Sequence, residues 1–226
     1  MARCTHAAIL NTAVAESMGV LADAIEGGTP TRDAVAEMLK THWNVVFNGD
    51  GYSDEWPIEA AARGLPNLKN TVDAVETLCV PKNEALFEKM KVFTPKELHA
   101  RQEIMFEKYT NDLTIEASCL VDMMQTGVLA ACAQDLALYS TGMSASASKR
   151  STVYQELESS VEQLSALCEA LPEDGSPHEQ ARYCVDVIKP QMESVRALSD
   201  TAEGLVQKDL WPYPKYKDIL YQHHYE

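Results

Sequence analysis

The strongest constraint on the fold is one long helical segment in the middle of the chain. It opens at Thr94-Pro95-Lys96-Glu97, where a capping threonine, a proline at the first helical position and a glutamate form a capping box. No strong stop follows before Gly142, so a helix of more than 40 residues is predicted. Its apolar stripe comprises Met105, Tyr109, Leu113, Ala117, Leu120, Met124, Val128 and Ala131. A helix this long needs partner helices to bury that stripe.

Two further apolar seams supply the predicted partners. The first comprises Tyr154, Leu157, Val161, Leu164, Cys168 and Leu171, and the second comprises Val185, Ile188, Met192, Val195, Leu198, Ala202 and Leu205. The short turn over residues 172–176 implies that these two helices are antiparallel neighbours. A second capping box begins at Ser176, and Pro190 is expected to bend the last helix. The Ser/Ala-rich residues 143–150 are predicted to be a connector.

The sequence therefore predicts an all-α protein, in which a bundle of three long helices follows several shorter ones. We expect a single helical domain over residues 1–226. The predicted first part, residues 1–93, holds the shorter helices and an Asn-Gly-rich loop. The second part, residues 94–207, is the long-helix bundle, and the third, residues 208–226, is an extended tail rich in aromatic residues and proline.

Composition and charge exclude several classes of protein. The 226 residues carry a net charge of −15, which argues against nucleic acid and against anionic lipid as partners. No apolar run approaches 18 residues, so no transmembrane segment is predicted, and the N-terminus does not resemble a secretory signal. The six scattered cysteines form no C-x-x-C pair and are interpreted as reduced thiols. These features predict a reducing intracellular compartment, cytosolic or organellar, and not secretion.

The most turn-rich segment is the loop from Asn48 to Pro57. A calcium loop beginning at Asn48 would place Asp50 and Glu59 at ligand positions, but its sixth position, usually glycine, is Ser53. The preferred interpretation is architectural. Gly49 and Gly51 would permit positive φ, while Tyr52 and Trp56 would pin the short helices to the bundle.

The chain offers no catalytic set that spacing alone identifies. The histidines form no H-E-x-x-H motif, no glycine-rich phosphate loop is present, and the glutamates of the long helices fall on predicted solvated faces. We therefore predict no catalytic residues, no cofactor-binding residues, no metal ligands and no cofactor.

A long aperiodic run resembles the C-terminal region of type III glutamine synthetases. It reads VVFNGDGYSDEW over residues 45–56 and EAAARGLPN over residues 59–67. Shorter matches in the same order are LNTAVAE at 10–16, TVDA at 71–74, KNEALFEK at 82–89, LTIEA at 113–117 and WPYPKY at 211–216. The resemblance covers nearly the whole chain and is weakest over residues 140–180.

The resemblance also implies where the family's chemistry lies. In these enzymes, ATP, glutamate, ammonia and divalent metals are handled by a β-grasp domain and an α/β catalytic domain, both preceding the matched region. No catalytic residue is therefore carried over, and these ligands would enter only with a catalytic chain. The first interpretation is a non-catalytic structural or interaction subunit, and the second is a split or truncated glutamine synthetase piece. The third is an unrelated helical bundle that binds a small molecule.

The expected interaction and structural residues lie in three segments. We expect the first helix, over residues 5–26, or the tail, or both, to dock on a protein partner or on another copy of the chain, with a basic or apolar surface opposite. The helix contributes Leu10, Val14, Met18, Leu21 and Ile25; the loop contributes Asn48, Gly49, Asp50, Gly51, Tyr52 and Trp56; the tail contributes Trp211, Tyr213 and Tyr216. The alternative for the helix is that its stripe folds back on the bundle.

Overall fold

The computed structural model describes residues 2–139 and 142–221, and within these ranges all regular structure is helical. The all-α prediction is confirmed. The chain divides into two compact units, Met1–Met105 and Phe106–Glu226. The boundary lies inside the long helix, whereas the sequence places its internal boundary at residues 93–94; the single domain stays a prediction.

The first unit is built from short helices around a small apolar cluster. Its helices are α1 (Ala2–Glu26), α2 (Thr31–Thr41), α3 (Glu55–Ala62), α4 (Thr71–Glu76), α5 (Pro81–Lys89) and the start of α6 (Pro95–Met123). A 3₁₀ turn, Thr77–Cys79, joins α4 to α5. Leu78, Phe87 and Leu98 are buried at the centre of this cluster, and Ile9 of α1 packs against it. Gln102 Nε2 donates to the Val75 carbonyl at 2.8 Å, which ties α6 to α4.

The second unit contains the long helices. Its helices are the end of α6, α7 (Leu129–Ala137), α8 (Ser144–Glu169), α9 (Pro177–Tyr183) and α10 (Lys189–Glu203), with the short α11 (Tyr216–Leu220) in the tail. The prediction of a connector over residues 143–150 is wrong, because α8 already begins at Ser144. Alanine has the highest helix propensity and serine costs little, so this stretch continues the helix. The preceding helix ends at Ala137, and Met143, whose φ is 52°, is the N-cap residue of α8.

The core of the second unit follows the predicted seams. The buried cluster comprises Leu113, Ala117, Met124, Val128, Ala131, Cys132, Tyr154, Leu157, Val161, Leu164, Cys184, Ile188, Val195, Ala202 and Val206. Helical spacing placed most of these side chains on one face of each helix, and that face is the buried one. Of the cysteines whose side chains are described, Cys132 and Cys184 are buried, Cys119 is exposed, and all are free thiols. Burial, with Asp135 adding to it, raises the pKa of Cys132 to about 12.

Two π turns interrupt the long helices. Met124–Val128 separates α6 from α7, and Cys184–Ile188 separates α9 from α10. In the second turn the Lys189 amide donates to the Cys184 carbonyl, five residues back, immediately before Pro190. A regular helix would clash with the proline ring at this point, and the wider turn gives it room. The disturbance expected from Pro190 therefore appears as a π turn.

Both predicted capping boxes are present. Thr94 and Glu97 exchange side-chain and backbone hydrogen bonds at the start of α6, and Ser176 and Glu179 do the same at the start of α9. The hydrogen bonds that each carboxylate accepts from the backbone and side chain of its partner hold the pKa of Glu97 and Glu179 below the usual value. These boxes set where α6 and α9 begin.

Candidate functional site

The clearest candidate site is the outer face of α1. The helix contacts its own unit through Ile9 and Thr12, and the Thr12 side chain is buried. Leu10, Val14 and Met18 lie on a different face, and 67%, 57% and 65% of their surfaces are exposed. We call these three residues the α1 face. The remaining members of the predicted stripe, Leu21 and Ile25, are half-buried. The contacts of α1 inside the first unit therefore leave the α1 face exposed.

The loop before α3 is held by an aromatic stack. The rings of Phe47 and Trp56 lie 4.1 Å apart, and the Arg63 guanidinium lies over both of them. Arg63 also donates to the Val46 carbonyl at 2.7 Å and pairs with Glu59. Glu59, the terminal ligand of the alternative calcium loop, is therefore engaged by an arginine. The predicted role of Tyr52 in pinning the helices is wrong, since its side chain is fully exposed.

The two loop glycines have different roles from those predicted. Neither Gly49 nor Gly51 has a positive φ; among the described glycines, Gly28 and Gly64 do. A Cβ atom at Gly49 would lie 2.7 Å from the Phe47 ring, whereas one at Gly51 would meet nothing within 4 Å. The close approach of the backbone to the ring explains Gly49. Nothing in the structure explains Gly51.

Gly49→Ala is therefore expected to lower the free energy of unfolding by about 1–3 kcal/mol, because the stacked Phe47 ring has little room to move. Gly51→Ala is the matched control and should change stability by less than about 0.5 kcal/mol. Chemical denaturation of both variants measures the difference. Equal effects of the two substitutions would contradict the steric explanation.

The tail lies on the second unit. Trp211 and Tyr213 pack against its core, and the Tyr213 hydroxyl donates to the Met123 carbonyl at 3.2 Å, at the start of the first π turn. Gly127 lies opposite, where a Cβ would approach the Tyr213 hydroxyl to 2.9 Å. Trp211 and Tyr213 are therefore engaged within the second unit, and docking of the tail on a partner stays a prediction. The side chain of Tyr216 lies outside the described residues.

A buried polar network joins three segments of the second unit. The carboxylate of Asp135 is completely buried and accepts hydrogen bonds from Arg150 Nε at 2.9 Å, Tyr154 Oη at 2.7 Å and the Gln207 amide at 2.8 Å. Arg150 also donates to the Leu205 carbonyl at 2.7 Å. Burial and the hydrogen bond to Asp135 raise the pKa of Tyr154, which keeps its hydroxyl a donor. The network links α7, α8 and the segment after α10.

The side chains of Cys79, Glu84 and His99 form a cluster in the first unit that offers three kinds of metal-ligand atom. One atom each from Cys79, Glu84 and His99 lies within 4.8 Å of the other two. His99 Nε2 and Glu84 Oε1 are 2.7 Å apart. Burial, with Glu84 adding to it, raises the pKa of the Cys79 thiol. The prediction of no metal ligands stays a prediction.

Comparison with known proteins decides the family. The family model of the glutamine synthetase C-terminal domain matches residues 31–149, just over half of the chain. Type-3 glutamine synthetase of Dictyostelium discoideum is 34% identical over 94% of this chain and 32% of its own length. Glutamine synthetase of Butyrivibrio fibrisolvens is 28% identical over 84% of this chain and 29% of its own length. Glutamine synthetase of Bacteroides fragilis is 25% identical over 97% of this chain and 34% of its own length.

The chain belongs to the glutamine synthetase C-terminal domain family. The resemblance to the C-terminal region of type III glutamine synthetase is confirmed. The chain spans about a third of the length of the curated relatives that it matches. The family match over residues 31–149 includes the loop with the Phe47–Trp56 stack and the cluster of Cys79, Glu84 and His99. The α1 face precedes the matched residues.

Among the described residues, two helical stretches are long and apolar enough to cross a membrane by length and composition alone. They are Ala7–Glu26 and Pro95–Ala137. Core helices of soluble proteins pass the same test, so it is weak evidence. The absence of a transmembrane segment stays a prediction.

Sequence reasoning missed the Asp135 network and the Cys79 cluster. Asp135 is fifteen residues from Arg150, and Cys79 is twenty residues from His99, so neither group forms a short motif. One signal was available for Asp135, because this acidic residue lies two positions after the apolar helical run that ends at Ala133. For the Cys79 cluster the chain carries no comparable local signal.

Proposed function

We propose that this chain is a non-catalytic structural module that docks through the α1 face on a protein partner, as a subunit of a larger assembly. The observation that carries the proposal is the exposure of Leu10, Val14 and Met18 on a helix that already contacts its own unit by another face. A helix attached by one face and apolar on another is typical of an element between two packed bodies.

The energetic argument rests on these large side chains. Each gains roughly 1.5–3 kcal/mol when it is fully buried rather than left in water. Leu10, Val14 and Met18 each expose more than half of their surface. They also lie at successive turns, so one partner surface covers all three. Burial of this face is therefore a substantial driving force for association.

Charge selects the kind of partner. With a net charge of −15, two copies of this chain repel each other over a Debye length of about 10 Å. A different protein with an apolar patch rimmed by Lys and Arg complements both the α1 face and the net negative charge of the chain. A heterologous partner is thus favoured over a second copy.

The test is native mass spectrometry and light scattering of the full chain purified from its own cells. We expect a complex larger than the monomer. In a separate measurement of backbone amide hydrogen exchange, residues 7–26 should exchange slowly in the complex and fast after the partner is removed. The triple variant Leu10→Gln, Val14→Gln, Met18→Gln should abolish the complex. The variant Ile115→Gln, Leu138→Gln is the control, because it changes similarly exposed apolar residues elsewhere, and should leave the complex intact.

Two outcomes would contradict this proposal. A strictly monomeric species with slow exchange throughout residues 7–26 would show that the α1 face is covered within the chain. A homo-oligomer of the chain alone, broken by the triple variant, would replace the heterologous partner with a second copy.

A second candidate is a split or truncated glutamine synthetase piece that acts with a catalytic chain. The observation that favours it is that the matched relatives are named glutamine synthetases and are about three times as long as the matched region. Phosphate release from ATP with magnesium, glutamate and ammonium separates the two candidates. Under the first, neither the chain nor its purified complex is active; under the second, the complex is active, and the triple variant loses that activity.

A further inference from the structure

A separate site in the first unit does not depend on the proposed function. Cys79 ends the 3₁₀ turn Thr77–Cys79, Glu84 lies in α5 and His99 lies in α6, so three different elements converge on one point. Their donor atoms, one sulfur, one carboxylate oxygen and one imidazole nitrogen, lie within 4.8 Å of one another. We propose that Cys79, Glu84 and His99 bind one zinc ion.

The chemistry of the donors selects the metal. Thiolate, imidazole and carboxylate are the side chains that bind Zn²⁺ in proteins, whereas Ca²⁺ and Mg²⁺ take oxygen ligands. Three protein ligands leave a fourth tetrahedral position, which water fills in sites of this kind. Binding replaces the proton of the Cys79 thiol with the metal, and the proton leaves to solvent.

The backbone around the cluster is anchored. Leu78, Phe87 and Leu98 are buried in one apolar cluster, and each lies one to three residues from a proposed ligand. Asn83 Nδ2 donates to the Thr77 carbonyl at 2.7 Å, which fixes the turn before α5 against the helix itself. Ligands on anchored elements need only side-chain movement to reach an ion.

The required movement is small. Metal–ligand bonds of about 2.0–2.3 Å place the donors of a tetrahedral site roughly 3.3–3.7 Å apart. The hydrogen bond of 2.7 Å between His99 Nε2 and Glu84 Oε1 must open slightly, and the other pairs, all within 4.8 Å, must close by no more than about 1 Å. The His99 side chain is 56% exposed, so rotation about its own bonds meets little resistance.

Cobalt is the spectroscopic probe for this site. We expect the full chain, stripped of metal, to bind one equivalent of Co²⁺ with a thiolate-to-cobalt charge-transfer band, and Zn²⁺ to displace it. Cys79→Ala should abolish the band, whereas Cys119→Ala, the control at an exposed thiol, should keep it. His99→Gln should weaken Co²⁺ binding by at least about tenfold, and His42→Gln, the control histidine, should not change it.

The His223-His224 pair, outside the described residues, is a second potential metal ligand. The double variant His223→Ala, His224→Ala must therefore retain the charge-transfer band. Circular dichroism without metal shows whether Cys79→Ala folds; if it does not, the exposed His99→Gln decides. Absence of the band in the wild type, its loss in Cys119→Ala, or unchanged binding in His99→Gln would each overturn the proposal and leave an ordinary His–Glu pair beside a thiol.

Discussion

Asp135→Ala is expected to lower the free energy of unfolding by about 3–5 kcal/mol, because it leaves the Arg150 guanidinium, whose side chain is only 14% exposed, without its carboxylate. The Tyr154 hydroxyl and the Gln207 amide lose their acceptor at the same time. The Tyr154 hydroxyl is buried, so leaving it unsatisfied carries its own desolvation cost. Urea denaturation followed by circular dichroism measures the change.

Asp112→Ala is the matched control for this prediction. Its carboxylate pairs with Lys108 one turn away on α6, and both side chains are more than half exposed. Exposed pairs of this spacing contribute about 0.3–0.5 kcal/mol. If the two substitutions had the same effect, the buried network would not be the main polar link between α7, α8 and the segment after α10.

Leu157→Ala is expected to lower the free energy of unfolding by about 2–5 kcal/mol. The Leu157 side chain is completely buried between the long helices of the second unit. Shortening it removes apolar contacts and leaves a cavity that packed helices only partly close. Thermal and urea unfolding of the full chain measure the loss.

Ile115→Ala provides the control for Leu157→Ala. Ile115 lies on α6 with 62% of its surface exposed, so little apolar burial is lost there. Alanine also has the higher helix propensity, so the control should be close to neutral or slightly stabilising. A loss below about 1 kcal/mol for Leu157→Ala would show that the core relaxes around the missing side chain.

Most of the helical core was predictable from spacing. Residues three and four positions apart share a helix face, so the seam through Leu157, Val161 and Leu164 identified buried side chains without any long-range information. Capping is equally local, and both predicted boxes are present at Thr94 and Ser176. The connector over residues 143–150 was misassigned because serine is compatible with both helix and loop.

The candidate sites were less predictable, for a different reason. The apolar stripe on α1 was visible in the sequence, but whether Leu10, Val14 and Met18 were covered depended on which face of the helix met its own unit. Thr12, a polar residue, lies on the buried side and donates to the Ala8 carbonyl, which satisfies its hydroxyl inside the helix. Helical periodicity identifies an apolar face, but it does not identify the neighbour.

The sequence by itself determined the all-α class, the long helices with their caps and seams, and the family resemblance, because each depends on residues within a few positions or on an ordered match. Tertiary structure alone decided which distant polar groups meet. Asp135 receives hydrogen bonds from Arg150, Tyr154 and Gln207, and Cys79 lies beside Glu84 and His99. Contacts between separate helices depend on how their axes and faces pack, which no local pattern along one helix encodes.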